Sequence, residues 1–121
     1  MKRLFILSFL LLIYSSIALS QTTVLSGNWG ASSETRSYTL NQNTGDRTIT
    51  IEINFLKPFK VKPNVVVGIS SIDVDKGTAV KYSVKAISIS RDGFTVEMKT
   101  WGDTKIYSVT GFWLSLSTDR C

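Results

Sequence analysis

The sequence predicts an all-β fold, a six-stranded antiparallel β-sandwich behind an N-terminal signal peptide. Three observations carry that prediction. Short runs with strict alternation or β-branched composition recur from Thr35 onward. Clusters of Asn, Asp, Gly, Ser and Pro separate them. No stretch outside the first twenty residues has helical periodicity.

The N-terminus, "MKRLFILSFLLLIYSSIALSQ", opens with Lys2 and Arg3, continues through an apolar core from Leu4 to Tyr14, and ends with Ala18 and Ser20 at the −3 and −1 positions of a cleavage site. This is the pattern of a secretory signal peptide over residues 1–20. The apolar segment is short, and serines dilute its second half, which argues against a membrane anchor. The expectation is therefore a secreted, extracellular protein with one domain over residues 21–121 and no membrane insertion of the mature chain. Without Lys2 and Arg3 the 14 basic residues fall to 12, against 9 acidic ones, a net charge of +3. The lysines are scattered, so this charge serves solubility and is no nucleic-acid footprint.

Residues 21–37 are polar and Gly/Ser-rich, and read as an extended arm or loop with Trp29 as an aromatic anchor. "TRSYTL", residues 35–40, reads as the first strand, and "NQNTGD", residues 41–46, as a turn. In "RTITIEINF" Ile49, Ile51, Ile53 and Phe55 alternate with Thr48, Thr50, Glu52 and Asn54, which marks a half-buried strand. "LKPFKVKP" breaks it with Pro58 and Pro63. The continuous run "NVVVGIS" predicts a strand buried on both faces. "DVDKGTA" is a charged turn without the spacing of a calcium loop. "VKYSVKAISIS" is a strand whose phase slips at Ala86–Ile87, as at a bulge. Arg91-Asp92-Gly93 signals a hairpin into "FTVEMKTW". There Phe94, Val96, Met98 and Thr100 face inward, and Thr95, Glu97, Lys99 and Trp101 face outward. "GDT" turns into the last long strand, "KIYSVTGFWLSLS".

The chemistry is narrow. The chain has no histidine, which removes the commonest general base and metal ligand, and with it Ser-His-Asp and Cys-His constellations and a zinc site. No spacing selects a pair of carboxylates for glycoside hydrolysis. The reading is of a protein that is not an enzyme and needs no cofactor or metal. Cys121 is the one cysteine and the last residue, so it serves an interchain disulfide or is a frayed terminal thiol.

Trp101 is the informative residue. By parity it stands on the polar face at a strand end. Such an indole is an interface anchor, a ligand platform, or a side chain packed under a loop or the Trp29 arm. Sugars combine an apolar C–H face with a rim of hydroxyls, which suits an exposed aromatic ring with a few fixed polar groups.

"SGNWG", "ITIEINFLKPFKVKPNVVVGISSIDVD", "VKAISISRDGF" and "MKTWGDTKIYSVTGFWLSLS" together resemble the H-type lectins, also found as discoidin C-terminal domains, in order and spacing. The resemblance implies a six-stranded β-sandwich that assembles as a homotrimer or a hexamer. It also implies binding of galactose or N-acetylgalactosamine on cell-surface glycoproteins or glycolipids, with sites near subunit boundaries. By the same resemblance Trp101 and Tyr107 contact sugar, with Lys81 where the family usually has Arg. Arg47 matches an Arg of the first loop, with Asp46 beside it replacing an acidic residue whose position holds Thr44. Gly102 stands where a sugar-contacting His is common, and Asp103 offers an acceptor next to it. Lys is a point donor where Arg is a planar fork, so selectivity is expected to differ. The competing expectation is a secreted protein-interaction or matrix module with altered or lost sugar binding.

Overall fold

The structure, a computed structural model, describes residues 20–120, with side chains for residues 21–118. Apart from the backbone of Ser20, the signal-peptide expectation lies outside the described residues, and so does Cys121.

Six strands form two three-stranded antiparallel sheets. β1 (Ser20–Ser32), β6 (Ile106–Arg120) and β3 (Asn64–Val74) make one sheet, in that order. β2 (Arg47–Asn54), β5 (Gly93–Thr100) and β4 (Tyr82–Ile87) make the other. The two inner faces close on one core. β5 supplies Phe94, Val96 and Met98 to it, as its alternation predicts. From the facing sheet come Trp29, Ile106, Val109 and Trp113. Phe55, Phe59, Phe94 and Trp113 form an aromatic cluster with ring centroids 4.9–5.8 Å apart, within the range where tilted and edge-on pairs add to area burial.

The first strand is not where the sequence places it. Residues 21–32 are no arm but most of β1, which pairs with β6 along its whole length. Leu25, Gly27, Trp29 and Ala31 point inward at a period of two. The glycine that reads as a loop signal is a packing device: Gly27 lies opposite Trp113, and Trp29 opposite Gly111, in register. A Cβ on Gly27 would sit 2.7 Å from the Trp113 ring, and one on Gly111 would sit 2.4 Å from that of Trp29. Each indole covers the glycine across from it, which restores the packing a glycine lacks. "TRSYTL" is a run of turns and no strand. Its Tyr38 and Leu40 are buried as plugs between the sheets, and Ser37 takes a φ of 66° that interrupts an extended chain.

Two finer expectations also change. β3 is an edge strand with a single inward face; Val66 on the other face is 53% exposed. The phase slip at Ala86–Ile87 is no bulge: β4 stays in register to Ile87 and ends there, at Ser88 with φ 52°. Bulges sit elsewhere, at Ser70 in β3 and at Tyr107 in β6.

Candidate functional site

The outer face of the β2–β5–β4 sheet carries an open cleft of about 480 Å³ at the Thr100 end of β5. Outward parity brings Glu97, Lys99 and Trp101 to it from β5. The β4–β5 register adds Ser83 opposite Lys99 and Lys85 opposite Glu97. Asp46, just before β2, closes the wall. Trp101 is partly exposed, as parity predicts, and is not part of the core.

Charges in the cleft are paired. Lys99 Nζ lies 3.2 Å from Asp46 and Lys85 Nζ 3.4 Å from Glu97. Both pairs are solvent-facing, so each adds little to stability. Their value to a ligand is that donors and acceptors stand ready beside an apolar ring.

The turn after Trp101 is built by Gly102 and Arg47. Gly102 has a φ of 67°, a backbone state that costs other residues strain. A Cβ there would lie 3.3 Å from Lys81 Nζ, so the Lys81 ammonium occupies the space over Gly102 where a side chain would project. Arg47 is buried and donates to five backbone carbonyls. Its Nε reaches Gly45, its Nη1 Leu40, Gln42 and Thr104, and its Nη2 Gly102 at 3.0 Å. The guanidinium is thus turned into the protein and ties the loop before β2 to the turn after β5. In this structure Arg47 positions the site from behind and does not line the cleft.

The structure therefore joins Trp101 and Asp46 in one cleft and sets Lys81 against Gly102. Asp103 is exposed at the same turn. Tyr107 flanks the other side of that turn, on the other sheet, 41% exposed because the β6 bulge turns it outward between inward Ile106 and Val109. It does not line the cleft.

Parity turns Thr100 inward, but the sequence assigns no role to its hydroxyl or to that of Thr104, and both are buried. Thr104 Oγ1 donates to Ala79 O and accepts from Lys81 N, while Thr100 Oγ1 donates to Lys81 O. Lys81 is held on both sides of its peptide by threonines with no exposure. Tyr38 acts at the same end: its hydroxyl donates to Ile106 O at 2.6 Å, and burial pushes its pKa up from 10.0 to about 12.

The sandwich carries an aromatic, polar-walled cleft on the outer face of its β2–β5–β4 sheet. The H-type lectin domain model matches residues 50–116, more than half of the chain, from within β2 through most of β6. The chain belongs to the H-type lectin family, a class of carbohydrate-binding domains. It is 37% identical over 76 residues to a Fuscovulum blasticum protein described as ATP synthase subunits region ORF 7, covering 63% of this chain and 66% of the relative. It is 33% identical over 73 residues to Discoidin-2 of Dictyostelium discoideum, covering 59% of this chain and 28% of that protein. The solved structure of discoidin II from the same organism matches with a TM-score of 0.73 at 26% identity, over 84% of this chain and 39% of the discoidin chain. The chain thus spans about two thirds of the first relative and well under half of the discoidins.

Proposed function

We propose that this protein is a secreted, multivalent lectin for galactose- or N-acetylgalactosamine-type glycans on cell surfaces, with Trp101 as the wall on which the sugar's apolar face stacks. The observation that carries this reading is the placement of Trp101: partly exposed, off the core, in a cleft with paired carboxylates and ammoniums. Sugar hydroxyls are both donors and acceptors. Asp46 and Glu97 accept from them, and Lys99, Lys85 and Lys81 donate. With Lys81 in place of a planar guanidinium, two adjacent hydroxyls are held one contact at a time, which lowers affinity at a single site.

Multivalency would compensate through effective concentration on a cell surface. Support comes from the outer face of the β1–β6–β3 sheet. β6 is inverted relative to an ordinary sandwich strand: Gly111, Ser115 and Ser117 point inward beside Trp113, while Phe112, Leu114 and Leu116 point outward. Val24 and Val66 flank them in register, and Val24, Val66 and Phe112 are 46–53% exposed. A contiguous apolar patch of this kind favours contact with further copies, in line with a trimer or hexamer. The test is a glycan array with the folded protein, followed by agglutination competed with free galactose. Binding to no glycan by folded protein would remove this reading in favour of a protein-interaction module.

A further inference from the structure

The β2–β3 loop, residues 55–63, carries a feature that sugar binding does not use. Leu56 is completely exposed, at 105% of its reference area, and Val61 is 47% exposed. A lone exposed leucine is ordinary. This one is held out by a rigid frame. Phe55 and Phe59 are buried on either side of it, edge to face at 4.9 Å. Phe55 N donates to Asp92 O, Phe59 N to Arg91 O, and Arg91 Nε to Phe59 O, all at 2.8–2.9 Å. With both phenylalanines held in the core, Leu56 stands out from the loop between them.

Around this tip stand Lys57, Lys60 and Lys62, all exposed. On the adjoining loop Arg91 and Asp92 offset each other in formal charge. Behind the tip lies a cleft of about 270 Å³. Gln21, Thr23, Ser117, Lys57 and Lys60 bring hydroxyl, amide and ammonium groups to it, over a floor of Leu25 and Phe59; no carboxylate lines it among the described residues.

We propose that this loop docks peripherally on an anionic phospholipid surface, with Leu56 seated at the boundary between headgroups and upper acyl-chain segments and Lys57 and Lys62 on lipid phosphates and carboxylates. The combination of charges and apolar groups selects lipid over other polyanions. Lysines alone would suit a sulfated polysaccharide, which offers no apolar phase, whereas a phospholipid surface offers one to Leu56 and Val61. The contact is one side chain deep and spans nothing. It is also independent of the sugar site. The loop leaves β2 at Asn54, whereas the Trp101 cleft lies at the Arg47 end, about 25 Å away for an eight-residue strand.

The experiment is sedimentation of the full mature chain with vesicles of phosphatidylcholine, with and without phosphatidylserine, free of glycolipid and with galactose in excess. Binding is expected only with phosphatidylserine and should weaken with salt. Leu56→Ser should reduce it about tenfold or more, and Lys57→Ala or Lys62→Ala about fivefold each. Because Leu56 is fully exposed, its variant should melt with the wild type. No binding to phosphatidylserine vesicles overturns the proposal. So does binding that Leu56→Ser leaves intact and a sulfated polysaccharide displaces, which would make the loop a general polyanion patch. A lower melting temperature for Leu56→Ser would equally overturn it, by showing that the leucine is a packing residue.

Discussion

Replacing Arg47 by Ala separates two roles that the residue's position allows, loop clamp and sugar ligand. The guanidinium donates to five carbonyls at 2.7–3.3 Å. A hydrogen bond from a charged donor contributes about 1.5–3 kcal/mol net. The contributions do not add fully, because water enters the space the side chain leaves and solvates some of the carbonyls. A loss of about 3–5 kcal/mol is the expected total. For a domain of this size each kcal/mol lowers the melting temperature by about 4–8 °C, so the drop should exceed about 12 °C. Urea unfolding of Arg47→Ala and Arg47→Lys, followed by tryptophan fluorescence, measures the change. The lysine variant should recover only part of it, since one ammonium cannot span carbonyls from both loops. Gly102 and Asp46 sit on the loops that the clamp joins, so sugar affinity should fall along with stability. A clamp role for Arg47 is excluded if Arg47→Ala keeps its stability within about 1 kcal/mol and yet loses sugar. That outcome would place the guanidinium on the ligand.

Gly111→Ala should cost about 3 kcal/mol or more, because its new methyl would lie 2.1 Å from the Gly68 carbonyl oxygen, a backbone atom that cannot swing away; thermal melting checks it. Tyr38 predicts a loss of stability at high pH. Its folded pKa is raised above the unfolded value, so above pH 10 the unfolded chain releases a proton the folded one keeps, and stability falls as pH rises from about 10 to about 12. The loss should be about 2–3 kcal/mol, and Tyr38→Phe, which also forfeits the bond to Ile106 O, should lack it.

The strands that alternate cleanly were legible from their residues. β2 and β5 occupy the spans their periodicity predicts, and the outward parity of Glu97, Lys99 and Trp101 is the parity of the cleft. β1 was not legible, because its inward positions include Gly27, whose partner is a ring eighty-six residues away in sequence. A glycine reads as a loop unless the aromatic that covers it is known. "TRSYTL" misleads for the converse reason: Tyr38 and Leu40 alternate and are buried, yet the backbone between them turns, and only tertiary contacts distinguish a plug from a strand. In the site, Trp101 and Asp46 could be read from the sequence, whereas the burial of Arg47 could not. A charged residue after a turn cluster looks exposed. Its orientation follows from carbonyls on two loops that converge only in the fold. Ser83 and Lys85 likewise needed the β4–β5 register.

Trp101 is the proposed wall of the sugar site, and calorimetric titration of galactose and N-acetylgalactosamine into wild type and Trp101→Ala tests that role most directly. Because Trp101 lies outside the core, the variant should fold and melt close to the wild type. Saturable binding to the wild type and none measurable in the variant are expected from that role. Equal binding by both, or none by a folded wild type, would contradict it.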